Sequence, residues 1–349
     1  MSKRLDIAYT TLIAELLERA LDAQFDMEFD EAGAFIKVTA KGRDYWYYKP
    51  SLRNGRVDKR QYVGPAEDEQ ISKRVENFRT LKNNFQARRK IVSTLVREAC
   101  LFSPEQRVGD LVEAFWKAGV FRLRACLIGT VAYQTYGAVL GYRLGGTAMQ
   151  TGDIDLAQFH SISVAVEDSI PPVLDVLQAV DESFHAVPAL NDNLGATRFE
   201  GKGGLRVEFL TPNRGGDEFA GKPARMPSLG GAAAEPLRFL DFLIHEPVRT
   251  VMLHKGGIPV LVPDPCRYAV HKLIVSARRK PGSGKELKDL GQADELVKAL
   301  TETGRRDDLF AAFEEALARG HAWREAIETS LTRMKAVNLS ITPEIFGAT

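Results

Sequence analysis

The five residues Asp153-Ile154-Asp155-Leu156-Ala157 constrain this chain more than any other stretch. Polar and apolar side chains alternate there with the period of two that a half-buried strand requires. As a strand, the segment turns Ile154 and Leu156 toward a core and projects Asp153 and Asp155 together from the other face. Two carboxylates held side by side repel each other, and a divalent cation relieves the repulsion. Oxygen-only ligation of this kind suits Mg²⁺ (or Mn²⁺), shared with substrate phosphates. The bland alternative is a turn, with Asp155 a solvated edge residue.

Two neighbouring segments add to the pair. Upstream, Leu127-Ile128-Gly129-Thr130 reads as a strand that breaks into a helix. Gly129 allows close backbone approach to a ligand, and Thr130 is a good residue for a helix N-cap. A helix start of this kind offers unpaired N–H groups to phosphate, although most such starts are only caps. Downstream, Leu205 to Pro212 is a strand with Val207 and Phe209 facing inward, so Glu208 lies on the polar face. There it is either a third carboxylate beside the Asp pair or an exposed residue paired with Arg206 or Arg198.

The order strand, Gly-Thr, helix, Asp-x-Asp strand, carboxylate strand resembles the DNA polymerase β-type nucleotidyltransferase superfamily over residues 120–290. The resemblance implies an α+β fold with a small mixed-sheet catalytic core. It implies that Gly129 and Thr130 hold an NTP triphosphate and that Asp153, Asp155 and Glu208 ligate metal. Glu208 would also act as base or position the acceptor hydroxyl. The 22 residues between Thr130 and Asp153 exceed the family's usual spacing. A second stretch, Pro265 to Leu273 followed by Arg278, Arg279 and Lys288-Asp289-Leu290, is similar to the segment after the catalytic domain in AbiEii-type toxins and related bacterial nucleotidyltransferases. That similarity implies that Lys272 and Lys288 face nucleotide phosphates and that Asp289 braces them, so Lys272→Ala should weaken NTP binding without unfolding the protein. Solvated helix charge is the plain alternative.

The implied activity is transfer of a nucleoside monophosphate from NTP to a hydroxyl of RNA, protein or a small molecule, with release of pyrophosphate. A catalytically silent nucleotide- or nucleic-acid-binding protein on the same fold is the alternative. Other signals are weaker. Gly282-Ser283-Gly284-Lys285 resembles the end of a P-loop, but Arg279 and Glu286 stand where Gly and Ser/Thr are needed, so it reads as a flexible turn. The six histidines show no H-x-x-x-H spacing, and no G-x-S-x-G elbow is present.

Composition sets the frame. The 349 residues are 44% apolar and 27% charged, with a formal net charge of +1, as in a soluble globular protein. Three widely spaced cysteines argue against a disulfide framework, and no long apolar run suggests a membrane span, so a reducing cytoplasm is expected. Charge is uneven: residues 41–100 carry 15 Lys/Arg against 7 Asp/Glu. Within them, aromatic and polar residues alternate around Asn54-Gly55, the signal of a β-hairpin, followed by a long charged helix over 67–100. Basic residues 41–65, interleaved with Tyr45, Trp46, Tyr47, Tyr48 and Tyr62, suit an RNA acceptor, or a hairpin whose aromatics pack on that helix. We divide the chain into an amino-terminal helix, hairpin and helix module (1–100), a catalytic core (101–265) and a C-terminal helical domain (266–349).

Overall fold

A computed structural model of the protein describes residues 2–28, 34–40, 42–49, 59–77, 85–145, 149, 151–188, 195–213, 222–280, 283–337 and 339. The architecture is α+β. Its central mixed sheet is built around the strand Asp153–Ala157, which pairs antiparallel with Cys126–Ile128 and parallel with Arg206–Pro212. Ala233–Leu237 extends the sheet as a parallel neighbour of Arg206–Pro212. Arg198–Glu200 folds back antiparallel on the start of that strand. The hairpin turns at the Gly203-Gly204 pair, whose φ of 75° and 78° lies where only glycine is at ease.

Alternation decides which face is core. Ile154, Leu156, Val207 and Phe209 are each 0% exposed. The Phe209 ring meets Phe115 and Phe199 edge-on, with centroids 6.1 Å apart in both cases. Phe115 comes from the helix Gln106–Ala118, which ends on Gly119 in the left-handed conformation (φ 91°). Four helices follow the core: Pro265–Ala277, Gly284–Glu302, Arg306–Ala318 and His321–Ala336. Among the described residues no helix is long and apolar enough to cross a membrane.

Several elements differ from the sequence reading. Residues 67–100 form two helices, Glu69–Asn77 and Phe85–Arg97, and residues 78–84 between them lie outside the described residues. The segment after Gly129 forms two short helices, Gly129–Tyr133 and Tyr136–Leu140. Leu240–Leu243 forms a helical turn in which Leu240, Phe242 and Leu243 are buried. The hairpin strands Arg43–Lys49 and Gln61–Pro65 pair antiparallel, while their Asn54-Gly55 turn lies outside the described residues. Ala34–Ala40, unforeseen, joins as a third strand.

One clamp ties this amino-terminal sheet to the core. Arg122 Nη1 lies 2.6 Å from Asp168 Oδ2 and also donates to the Tyr62 carbonyl, while the Tyr62 amide donates to Asp168 Oδ2 at 3.1 Å. Both ion-pair members are largely buried, at 10% and 12% side-chain exposure. Asp168→Ala removes the carboxylate that this guanidinium faces, and we expect a loss of about 3 kcal/mol in a urea unfolding titration. A change below a few tenths would show that the clamp is incidental.

Candidate active site

The parallel ladder places Asp155 opposite Glu208 and Asp153 opposite Arg206. Register partners in a sheet share a face, so Asp153, Asp155 and Glu208 all project from the side away from Ile154 and Val207. Burial, then the neighbouring charges of Glu208 and Asp153, push Asp155 up to about 7, against the pull of Lys272 and Lys285. Glu208 has a partner: Arg198 Nε lies 2.7 Å from its Oε1. Arg206 pairs instead with Glu200 at 3.2 Å. The donor set has the chemistry a hard divalent cation takes, although as they stand the three carboxylates do not bring a ligand atom each within 4.8 Å of one another. It offers carboxylate oxygens only, on one face, with repulsion that burial sharpens.

Gly129 is fitted to this carboxylate. Its φ is +66°, and a Cβ there would stand 2.3 Å from Asp155 Oδ2. The Tyr268 hydroxyl lies 2.8 Å from the Gly129 carbonyl and 3.1 Å from Gln292 Oε1, so it donates to one of these two oxygens. Thr130 is not the N-cap that the sequence suggests. It sits inside the helix Gly129–Tyr133, whose capping position is Ile128 with extended backbone and no side-chain cap. Strand geometry continues through Ile128, because it pairs with Asp155, and the break falls one residue before Thr130. The five-residue helix is too short for its dipole to hold an anion alone.

Cations come from the C-terminal helices. Asp264 caps Pro265–Ala277 by accepting from the amides of Cys266 and Arg267. That helix carries Lys272, whose Nζ lies 2.5 Å from Asp289 Oδ1 and 5.2 Å from the Tyr268 ring centroid. Arg279 Nε approaches the other Asp289 oxygen at 3.2 Å. Gly284–Glu302 carries Lys285, Lys288 and Asp289, spaced to share one helix face. Lys285 Nζ stands 3.9 Å from Asp153 Oδ2. Burial first, then Lys272, push the Lys288 ammonium below the usual lysine range, against the pull of Asp289 and Asp153.

The structure therefore brings Asp153, Asp155, Glu208, Gly129, Lys272 and Lys288 to one locality, with Thr130 beside Gly129. Lys285 was missed. Its Gly-Ser-Gly-Lys context reads as a flexible turn, yet Gly284 and Lys285 open a 19-residue helix. The i, i+3 spacing of Lys285 and Lys288 is the signal that could have found it. Lys272 also differs from expectation. It is 8% exposed and pairs with an Asp289 that is 3% exposed, so Lys272→Ala unbalances a buried ion pair and destabilises the fold as well. A second cluster, Asp110, Glu113 and His254, has ligand atoms within 4.8 Å of one another. Its charges are already met: Lys255 Nζ lies 2.6 Å from both carboxylates. Burial works against the two carboxylates, but hydrogen bonds from Lys255, and from His254 or Lys117, hold both below their usual range.

A nucleotidyltransferase family model matches residues 106–318, the stretch that contains every residue of this cleft. The chain belongs to this nucleotidyltransferase family. A solved antigenic nucleotidyltransferase-like protein from Paracoccidioides brasiliensis is similar at 13% identity over 65% of this chain and 94% of that one, with a TM-score of 0.29. No curated protein matches this chain.

The contact between Gly129 and Asp155 gives a direct test. Gly129→Ala should lower the unfolding free energy by about 1–2 kcal/mol through its left-handed φ alone. It should also displace the Asp155 carboxylate and reduce any thermal stabilisation by Mg²⁺. Gly291→Ala is the control, since Gly291 lies in a helix with nothing within 4 Å of an added methyl, and should stabilise by about 0.5–1 kcal/mol. Equal effects from both substitutions would show that Gly129 does not bear on the site.

Proposed function

We propose that this family member is a metal-dependent nucleotidyltransferase that moves a nucleoside monophosphate from NTP to an acceptor hydroxyl and releases pyrophosphate. The observation that supports this reading is the placing of Asp153, Asp155 and Glu208 on one sheet face, opposite lysines from two helices. Kinship with AbiEii-type enzymes belongs to the same proposal. Asp153, Asp155 and Glu208 are the residues that would hold a divalent cation, Mg²⁺ or Mn²⁺. When bound, it would supply charge neutralisation and polarise the transferred phosphate.

The chain's own residues do the rest. Lys285 and Lys288 present ammonium groups to the triphosphate, and Lys272, held by Asp289, is fixed beside them. Gly129 carries no side chain, so phosphate oxygens can approach the backbone between Ile128 and Thr130. Glu208 is the carboxylate with a movable partner, Arg198 at 48% side-chain exposure, and is placed to accept a hydrogen bond from the acceptor hydroxyl. In the reaction the acceptor oxygen forms a bond to the α-phosphorus as the α–β anhydride bond breaks. The hydroxyl proton passes to carboxylate or water, and pyrophosphate leaves. Positioning and charge complementarity supply most of the rate.

The experiment is incubation with each α-³²P-labelled NTP, Mg²⁺ and cellular RNA or protein fractions. We expect label in one fraction, lost by at least about 100-fold in Asp153→Asn, Asp155→Asn and Glu208→Gln with the fold retained. Lys285→Ala and Lys288→Ala should raise the NTP dissociation constant by roughly 10-fold without lowering the melting temperature. If no fraction takes label while NTP still stabilises the protein, the silent-binder reading replaces the enzyme.

A further inference from the structure

The amino-terminal sheet packs one of its aromatic faces on its own helix and turns the other, half-buried, toward the core. Along Arg43–Lys49, Trp46 and Tyr48 alternate with Tyr45 and Tyr47. Trp46 Nε1 donates to Ser72 Oγ at 2.9 Å, and Tyr48, 2% exposed, packs with Val63 and Ile71 against the helix Glu69–Asn77. The opposite face looks toward the core across a cavity of about 560 Å³. Tyr45, Tyr47 and Tyr62 line it, with Arg43 and Arg124 beside them and the helix His160–Ala165 opposite. The Tyr62 ring lies 6.1 Å from that of Tyr45 and 5.6 Å from that of Tyr47, centroid to centroid. Arg43 and Arg124 are exposed, and among the described residues neither guanidinium is in an ion pair.

We propose that this cavity seats a base of a single-stranded RNA acceptor. The proposal rests on the nucleotidyl-transfer reading and names its acceptor. Tyr62, 6% exposed, backs the half-buried rings of Tyr45 and Tyr47, which can stack on bases of any identity, and guanidinium groups meet phosphate or stack in turn. Asp44 and Glu67, also at the cavity, add acceptors for exocyclic amino groups. The volume exceeds what one base fills, leaving space for its ribose. The platform is rigid, because Arg122 and Asp168 grip the Tyr62 backbone, and that lowers the ordering cost of binding. Place matters too. The helix His160–Ala165 begins three residues after the strand Asp153–Ala157, whose end lies about 7 Å of backbone beyond Asp155. One strand thus links the carboxylates of the cleft to the helix that walls the cavity. The excess of basic residues over 41–100 supplies the attracting field. Arg56, part of that basic stretch, lies outside the described residues.

The test is fluorescence anisotropy of a short labelled single-stranded RNA with the full chain, at low and moderate salt. Binding should be present at low salt and fall as salt rises. Tyr47→Ala should weaken it by about 5- to 150-fold. Ala165→Trp fills the cavity from the opposite wall without removing a tyrosine, and it should do the same. Arg43→Glu with Arg124→Glu should flatten the salt slope. NTP-induced thermal stabilisation should be unchanged in all three. Absence of RNA binding at low salt, or unaltered affinity in Ala165→Trp, overturns the proposal. Labelling of a protein or small molecule without RNA binding would remove this acceptor and keep the transfer reading. RNA binding that responds to these variants, without labelling of any acceptor, would keep the pocket and remove the chemistry.

Discussion

Two carboxylates, Asp155 and Glu208, face each other across one parallel ladder, and much of the structure answers that repulsion. Asp155 is half-buried and crowded by like charge. A sheet tolerates such a pair only if strong apolar burial on its other face fixes the register. Ile154, Leu156, Val207 and Phe209 provide it, since a one-residue slip would exchange them for charged groups. Compensation then arrives from outside the sheet, as lysines on helices that begin more than a hundred residues after Asp153.

How much of this was legible in the sequence follows from how local each signal is. The shared sheet face of Asp153, Asp155 and Glu208 was readable because strand alternation is a period of two, visible in a few residues. Less local features were not. Thr130 looks like a cap because the residue type fits, but strand pairing to Asp155 extends through Ile128 and moves the break. Lys285 looks like part of a turn because glycine and serine precede it, and only the packing of its helix against Asp153 gives it a partner. Burial of Lys272 depends on Asp289, seventeen residues on, and the cluster around His254 joins residues 144 apart in the chain. The Asn54-Gly55 turn lies outside the described residues, although the strands on either side pair as the pattern predicts.

The long spacing between Thr130 and Asp153 has a structural use. It contains the helix Tyr136–Leu140 and the strand Tyr142–Arg143, which pairs antiparallel with Lys3–Arg4 at the start of the chain. Next to that strand, the Gly145 amide donates to Glu295. The same carboxylate accepts from Tyr133 at 2.6 Å and from Ser2 at 3.0 Å. Glu295 lies on the helix that carries Lys285 and Lys288. The added residues, the amino terminus and the Gly-Thr helix therefore converge on one side chain of the lysine helix. Multiple bonds to one carboxylate restrict that helix to a single position, which is what ammonium groups need in order to face a cleft without a mobile arm.

Compensation within the triad is uneven, and the unevenness has a direction. Glu208 has Arg198 at 2.7 Å, and Asp153 has Lys285 at 3.9 Å. Arg198 is shared further, since Glu235, on the next parallel strand, is raised by burial, lowered by Arg198 and raised by Glu208. Asp155 has no ion pair among the described residues: of the two cations that pull on it, Lys272 is bonded to Asp289 and Lys285 stands by Asp153. Asp155 is thus the carboxylate of the three left without a direct partner. Interaction energy with a bound charge grows as surroundings become less polar and as competing counter-ions are removed. Asp155 meets both conditions, while Glu208 and Asp153 keep exchangeable partners at 48% and 67% side-chain exposure. On the metal-dependent reading proposed above, a divalent charge would gain most beside Asp155, and the flanking carboxylates could turn toward it by releasing partners that water readily solvates.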